Sequence, residues 1–259
     1  MTGLPPSDEG ADQDTVACPF AATATTPVGA PGRPIGVTAE DGTDAALVPA
    51  AFVAVTLKVY AVPSSKPLTV TVIADLHAGG PNMGIARVRE VVDAAQALDS
   101  DLIVILGDYF ATHRFITEHV PNAAWAAELG RLKARLGVYA ILGNHDWWYD
   151  ITGVRKALAA ERIPLLENDV VHLGAPGARF WLAGLGDQLA HFIGPSRFRG
   201  EDDLPGTLAQ VRTSDPVILL AHEPDIFVTV PDRVSLTIAG HTHGGQIRVP
   251  FVPPVWAPS

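Results

Sequence analysis

The 259-residue chain has little cysteine and few basic residues, and each shortage excludes a class of site. Cys18 is the only cysteine, so the chain holds neither an internal disulfide nor a metal cage made of thiolates. Against 28 acidic residues stand 18 basic ones, and the formal net charge of −10 argues against a general nucleic-acid binder, which needs a basic face. We therefore expect no nucleic-acid partner, and the oligomeric state stays open.

The sequence also lacks an export signal and a membrane span. Asp8 and Glu9 stand where a signal peptide would carry Lys or Arg, and no early apolar core follows them. The apolar stretch Ala45–Leu57 is interrupted by Pro49 and Thr56 and is too short to cross a bilayer. The chain as written predicts a cytoplasmic protein, and a membrane-associated or exported one only if the N-terminus is incomplete.

Two regions differ in composition. Residues 1–50 are rich in Pro, Gly, Ala and Thr and show no helical or strand period, which predicts a mostly disordered acidic leader. The alternative is that part of this leader is not native sequence. Residues 51–259 predict one folded domain, because an apolar content of 47% allows a full core and no linker or repeat divides them.

From residue 68 onward, apolar strands alternate with amphipathic helices. Buried strands are predicted over Leu68–Ala74, Leu102–Leu106 and Val138–Leu142, and helices over 84–98, 122–136 and 152–161. This alternation favours right-handed crossovers and a largely parallel sheet. Further strands over 170–173, 180–183, 217–221 and 234–239 indicate a second sheet, and the polar region 186–215 is interpreted as a long surface loop.

Polar residues follow the ends of these predicted strands. They are Asp75, His77, Asp108, Asn144, His145, Asp146, His222, His241 and His243. Open α/β sheets bind ligands at the carboxyl ends of their strands. A lone histidine is more often structural than functional, but carboxylates and imidazoles collected at five strand ends would be costly to bury without a cation. The set together indicates a metal site.

These residues carry the resemblance to a known family. Asp75-Leu76-His77, Gly107-Asp108, Gly143–Asp146, His222 and Gly240–His243 resemble, in order, the motif set of calcineurin-like metallophosphoesterases. His222–Asp225 and Gly244–Gln246 resemble a bacterial branch of membrane-associated or exported phosphodiesterases, so membrane contact is implied by resemblance only. The implied fold is α/β, a four-layer αββα sandwich of two mixed sheets flanked by helices. The chain stops soon after Gln246, which raises the alternative of a fold without the family's last strands.

The resemblance also implies a role for each residue. The first metal would be held by Asp75, His77, Asp108 and His243. The bridging Asp108 would join Asn144, His222 and His241 on the second metal. His145 would be the catalytic histidine near the leaving-group oxygen, and Asp146 its orienting partner.

The chemistry of this ligand set agrees with phosphoester hydrolysis. Two divalent cations ~3.5–4 Å apart can generate a bridging hydroxide at neutral pH and hold phosphate oxygens for in-line attack. Nitrogen and oxygen ligands without thiolate suit manganese, iron, zinc or nickel. The leading hypothesis is dinuclear-metal-dependent hydrolysis of a phosphodiester or pyrophosphate, with lipid-linked esters among the candidates. The alternative is a catalytically silent metal-binding scaffold for a protein partner.

Several other residues carry weaker signals. Trp147, Trp148 and Tyr149 predict either an aromatic rim for an apolar part of the substrate or ordinary packing under a loop. Candidates to reach a substrate phosphate are His113, Arg114, His119, Arg197 and Arg199. His172 and His191 are interpreted as structural or surface residues.

Overall fold

The computed structural model describes residues 13–17, 22–26, 58–60, 68–112 and 116–243. The strands of these ranges are β1 (Gln13–Ala17), β2 (Ala22–Thr26), β3 (Lys58–Tyr60), β4 (Leu68–Ile73), β5 (Gly79–Gly80), β6 (Leu102–Ile105), β7 (Glu118–His119), β8 (Val138–Ala140), β9 (Asp169–Leu173), β10 (Phe180–Gly184), β11 (His191–Gly194), β12 (Arg197–Arg199), β13 (Val217–Ala221) and β14 (Leu236–Ala239). The helices are α1 (Ile85–Ala97), α2 (Asn122–Leu129), α3 (Asn144–Tyr149), α4 (Ile151–Ala160), α5 (Leu204–Leu208) and a 3-10 helix over Pro224–Thr229.

Two four-stranded sheets form the centre of the fold. The first has the order β3-β4-β6-β8, in which β4, β6 and β8 are parallel and β3 is antiparallel to β4. The second has the order β14-β13-β10-β9, in which β9 alone is antiparallel to its neighbour. Both sheets are therefore mixed, as the family resemblance implied.

Alternating side chains of the first sheet build two of the three cores. Ile103 and Ile105 pack with helices α1, α2 and α4, while Leu102 and Val104 face the second sheet. All four side chains are almost fully buried, because a strand covered on both faces needs apolar residues throughout. The helices and the first sheet are thus two adjacent layers.

The second sheet repeats this arrangement. Leu182 and Leu220 point toward the first sheet, and Trp181 and Leu219 point outward. The outer core also contains Leu204 of helix α5. Helix, sheet, sheet and helix follow one another, which confirms the four-layer sandwich.

Some boundaries differ from the sequence-based prediction. The segment 186–215, interpreted as one long loop, contains the β11–β12 hairpin and helix α5. Its glycines and prolines belong to these elements, since the Asp203 side chain caps α5 by accepting from the Gly206 N–H and Pro205 occupies the first turn. The helix predicted over 122–136 ends at Leu129, and turns follow up to Gly137.

Other predictions fall mostly outside the described ranges. Within 1–50, two five-residue strands, β1 and β2, pair antiparallel, and the disordered leader stays a prediction for the rest. Lys58–Tyr60 forms β3, and the residues after 243 lie outside the described ranges. In the described ranges, no helix has both the length and the apolar character needed to cross a membrane.

Asp101 connects the amino ends of β4 and β6 and gives a test of the fold. Its Oδ2 accepts from the Thr69 N–H at 3.2 Å, and its Oδ1 accepts from Arg135 Nε at 2.9 Å. Burial alone would raise the pKa of Asp101, but these hydrogen bonds outweigh it and lower the pKa below the usual 3.8. An aspartate of this kind stabilises the fold above its unfolded pKa and loses that effect as the pH falls through its folded pKa.

We predict that Asp101→Asn lowers the free energy of unfolding at pH 7 by about 1 kcal/mol, a modest value because Arg135 is mostly exposed. Urea denaturation at pH 7 and at several pH values below 4 measures the free energies of unfolding of the variant and the wild type. The difference from the wild type should shrink as the pH falls below 3.8, whereas the exposed control Asp99→Asn should show little difference at any pH. A difference that stays constant with pH would contradict the role given to the carboxylate.

Candidate metal centre

The two sheets bring the predicted ligands together at their carboxyl ends. Asp75 and His77 follow β4, Asp108 follows β6, and Asn144 begins α3 after β8. From the second sheet, His222 follows β13, and His241 and His243 follow β14. All seven side chains meet where the sheets face each other, so strand order alone explains how distant residues share one site.

The first cluster consists of Asp75, His77 and His243. Their ligand atoms all lie within 4.8 Å of one another. His77 Nε2 lies 3.0 Å from His243 Nε2, and His243 Nε2 lies 3.7 Å from Asp75 Oδ1. His77 Nε2 is also 3.5 Å from Oδ2 of Asp108, which thereby faces this cluster.

The second cluster consists of Asp108, His222 and His241, with Asn144 beside them. His222 Nε2 lies 3.3 Å from Asp108 Oδ2. The Asn144 Oδ1 atom lies 3.1 Å from both His222 Nε2 and His241 Nδ1. Asp108, at 1% exposure, therefore stands between the two clusters, where a carboxylate shared by two ions would have to be.

The backbone of the centre is unusual in its dihedral angles. Nine described residues other than glycine have a positive φ, and five of them are predicted ligands with φ between 41° and 66°: Asp75, His77, Asp108, His241 and His243. Each such residue costs on the order of 1–3 kcal/mol unless its surroundings fix it. Hydrogen bonds do so here, since the His77 N–H donates to the Asp108 carbonyl at 2.9 Å and the His241 N–H donates to the Asp75 carboxylate at 3.0 Å.

The charges of the centre are arranged around Asp108. Burial alone would raise the pKa of Asp108, but His222 and His77 lower it, so this carboxylate is ionised. Burial raises the pKa of Asp75, and the nearby Asp108 raises it further against the opposing effect of His222. His222 Nδ1 lies 2.6 Å from the carbonyl oxygen of Leu106, and this contact turns Nε2 toward Asp108.

The residues present fit divalent cations. Burial lowers the pKa of His77 to about 4, so its imidazole is neutral near pH 7, which is the form that binds metal. His77 Nδ1 is buried and has no hydrogen-bond partner among the described residues. Lone pairs of imidazole, amide and carboxylate groups thus crowd one small volume, and a mixed nitrogen and oxygen set of this kind suits first-row transition metals.

The two predicted catalytic residues lie beside the clusters. His145 Nε2 is 4.0 Å from Asp108 Oδ2, and the His145 N–H donates to Asp108 Oδ1 at 2.9 Å. His145 Nδ1 contacts the hydroxyl of Thr112, a residue that sequence reasoning missed. Thr112 lies in a loop with no motif around it, so only the folded geometry identifies it.

Asp146 binds the backbone of two neighbouring loops. Its fully buried carboxylate accepts from the N–H groups of Gly143, Asp108 and Tyr109 at 2.9, 2.9 and 3.0 Å. These bonds hold the loop after β6 against the loop after β8. The role of Asp146 as the orienting partner of His145 stays a prediction.

Position 143 requires glycine because the Asp108 carboxylate and the His222 ring lie very close to its backbone. A Cβ atom at this position would overlap the carboxylate of Asp108 and the ring of His222. Gly107, on the facing loop, has φ +93° and lies against the backbone of Gly143. The glycines in these motifs therefore let two loops meet beneath the ligands.

The three aromatic residues after Asp146 point in different directions. Trp147 packs against the helix-side core and under the guanidinium of Arg155, 4.9 Å from the ring centroid. Trp148 and Tyr149 are 39% and 61% exposed. The Trp148 ring lies 5.4 Å from that of His145. Trp147 is thus packed, and the aromatic rim stays a prediction for Trp148 and Tyr149.

The remaining candidates are exposed residues, residues outside the described ranges, or histidines in contact with a carboxylate. His119 is exposed in β7, Arg197 and Arg199 are exposed in β12, and His113 and Arg114 lie outside the described ranges. His172 Nε2 contacts Asp215 at 2.8 Å and His191 Nε2 contacts Glu201 at 2.5 Å, in agreement with structural roles.

Sequence reasoning also missed a buried acidic pair. Asp187 and Glu223, at 0% and 1% exposure, form a third group of potential ligands with His222. Burial and the adjacent Glu223 raise the pKa of Asp187 to about 10. Their positions in the sequence were the available signal, because Asp187 follows the end of β10 and Glu223 follows the end of β13, both in the second sheet.

The chain belongs to the calcineurin-like phosphoesterase family, which residues 68–245 match. The prediction of this family from the motifs is confirmed. The family is metal-dependent and hydrolyses phosphoric esters, and the clusters described above are candidate ligands for its metals.

Three relatives give the range of similarity. The chain is 33% identical over 190 residues to a Danio rerio "Transmembrane protein with metallophosphoesterase domain", covering 70% of this chain and 41% of the relative. It is 35% identical over 161 residues to metallophosphoesterase YkuE of Bacillus subtilis, with coverage of 61% and 52%. It is 28% identical over 202 residues to phosphodiesterase YaeI of Escherichia coli, with coverage of 75% and 67%. The chain thus spans less than half the length of the first relative.

We predict that Gly143→Ala reduces metal binding by about tenfold or more, because the added Cβ forces the Asp108 carboxylate and the His222 ring apart. Metal content after dialysis against a limiting concentration of manganese or zinc measures this. Gly84→Ala is the matched control, since a Cβ at Gly84 has nothing within 4 Å. Equal metal retention by both variants would show that the close approach is not required.

Proposed function

We propose that this domain hydrolyses a phosphoester, with a phosphodiester or pyrophosphate favoured, using two divalent metal ions. The observation that carries the proposal is the pair of ligand clusters that face Asp108 from two sides, with His145 Nε2 4.0 Å away. The first ion would be held by Asp75, His77, Asp108 and His243, and the second by Asp108, Asn144, His222 and His241. Manganese, iron, zinc and nickel all suit these ligands.

When bound, the ions supply Lewis acidity and an activated water, the chemistry that phosphoester hydrolysis requires near neutral pH. Asp75 and Asp108 together bring a charge of −2 against the +4 of two cations, and imidazole and amide ligands add none. The centre therefore keeps a positive charge that attracts a phosphate anion.

His145 acts on the departing oxygen in this proposal. Its backbone N–H is fixed by Asp108, its Nδ1 by Thr112, and its Nε2 points toward the centre. A proton given from Nε2 to the leaving group contributes typically ~10²–10⁴-fold in rate. Asp146 holds the loop after β6 against the loop after β8, so the distance between His145 Nε2 and Asp108 Oδ2 is maintained.

The surroundings of His145 and the names of two relatives bear on the class of substrate. The Escherichia coli relative is named a phosphodiesterase, which favours a diester, and the Danio rerio relative is named a transmembrane protein, which favours membrane contact. The exposed Trp148 beside His145 offers an apolar surface to the ester group.

We predict that Asp108→Ala abolishes hydrolysis, because it removes the carboxylate that faces both clusters, and that it lowers the metal content. His145→Ala is expected to lower kcat by ~10²–10⁴-fold while about two metals per chain are retained. An aryl phosphodiester and an aryl monoester, assayed with manganese or zinc, together with metal analysis, measure both effects. Stoichiometric metal in the wild type without turnover of any ester would favour the scaffold alternative.

We predict that Thr112→Val lowers kcat about tenfold with little change in KM, because the His145 ring loses its hydrogen bond and its fixed orientation. Thr112→Ser keeps the hydroxyl and should restore most of the activity. The dependence of kcat on pH separates this positioning role from a packing role, since only the former moves the apparent pKa of the essential acid. Equal activity of the valine and serine variants would contradict it.

A further inference from the structure

The hairpin β11–β12 exposes apolar and basic side chains together at its tip. Phe192 and Ile193 are 65% and 51% exposed, and Arg197 and Arg199 are also exposed. We call these four residues the hairpin tip. Large apolar side chains are usually covered in a folded protein, so two adjacent exposed ones indicate a surface with a partner.

A row of rings connects the hairpin tip with the candidate metal centre. Phe192 pairs with Phe198 across the hairpin, their ring centroids 5.7 Å apart, and Phe198 stacks on Trp148 at 5.5 Å. Trp148 in turn lies 5.4 Å from His145. Its Nε1–H donates to the Leu189 carbonyl at 2.8 Å, which fixes the start of the hairpin to helix α3.

The charge of the hairpin is opposite to that of the chain. The net charge of the chain is −10, yet the hairpin from His191 to Arg199 contains both arginines and no carboxylate. Of the acidic residues that follow, Glu201 contacts His191, Asp203 caps α5, and Asp202 is half-buried. The hairpin tip is therefore suited to an anionic surface.

The size of the exposed patch favours a membrane over a protein as its partner. A stable protein interface buries about 800 Å² on each side, which two apolar side chains do not supply. Aromatic and aliphatic side chains flanked by arginines are instead typical of groups that enter the boundary region of a bilayer, where the guanidinium groups meet anionic headgroups.

We propose that the hairpin tip docks on the surface of an anionic lipid bilayer and so presents the candidate metal centre to a phosphoester held in the membrane. The docking itself stands on the hairpin geometry, and its catalytic consequence rests on the proposed function. Phe192 and Ile193 enter the interface, and Arg197 and Arg199 bind lipid phosphates. The row from Phe192 to His145 gives an apolar path for the ester group.

Co-sedimentation of the full chain with phosphatidylcholine vesicles, with and without phosphatidylglycerol, tests the docking. The wild type should bind the vesicles that contain phosphatidylglycerol, and the double variant Phe192→Ser/Ile193→Ser should bind them about tenfold more weakly. Arg197→Gln/Arg199→Gln should show a similar loss and less dependence on phosphatidylglycerol. Phe227→Ser and Arg212→Gln, at an exposed aromatic and an exposed arginine outside the hairpin, are the matched controls and should bind like the wild type.

A failure of the docking proposal can be distinguished from a failure of the proposed function. Vesicle binding needs no turnover and is scored independently of hydrolysis, so wild-type binding to anionic vesicles without turnover of a soluble aryl ester would support the docking and contradict the proposed function. The docking is overturned if the wild type does not bind anionic vesicles or if the hairpin variants bind as well as the controls. It is also overturned if Phe192→Ser/Ile193→Ser converts a dimer to a monomer in sedimentation velocity, since the tip would then cover a second copy.

Discussion

The buried carboxylate of Asp108 is the group on which the rest of the centre depends. It stands between two clusters of potential ligands drawn from both sheets, accepts the N–H of His145, and is held ionised by His222. An ionised carboxylate at 1% exposure is stable only when positive charge or hydrogen-bond donors surround it. The two sheets must therefore meet at this residue, and their strand ends supply what it requires.

This constraint explains the local backbone. Five predicted ligands have a left-handed φ, and strained residues of this kind persist only where neighbouring bonds fix them. Asp146 supplies three of those bonds, and Gly143 leaves room for the carboxylate of Asp108 beside it. The motif residues thus divide into some that can bind metal and others that keep those residues in a conformation they would not adopt alone.

Much of the fold and the ligand set could be predicted from the sequence, because both depend on local signals. Apolar β-branched runs such as 68–73 define strands, and a polar residue just after such a run must lie at the edge of the sheet. Thr112 could not be found in this way, since its contact with His145 joins loops far apart in the chain. The hairpin in 186–215 was missed because Pro195 and Ser196 form its turn, and turn residues look the same in a loop.

The same hairpin shows why the part missed by sequence reasoning matters for function. A set of candidate metal ligands by itself says little about which ester a site binds, because function depends on the groups placed around it. Here Trp148 belongs to the motif-bearing helix α3, yet its partners Phe198 and Leu189 come from the segment 186–215. The orientation of Trp148 beside His145 is consequently set by contacts with the segment 186–215.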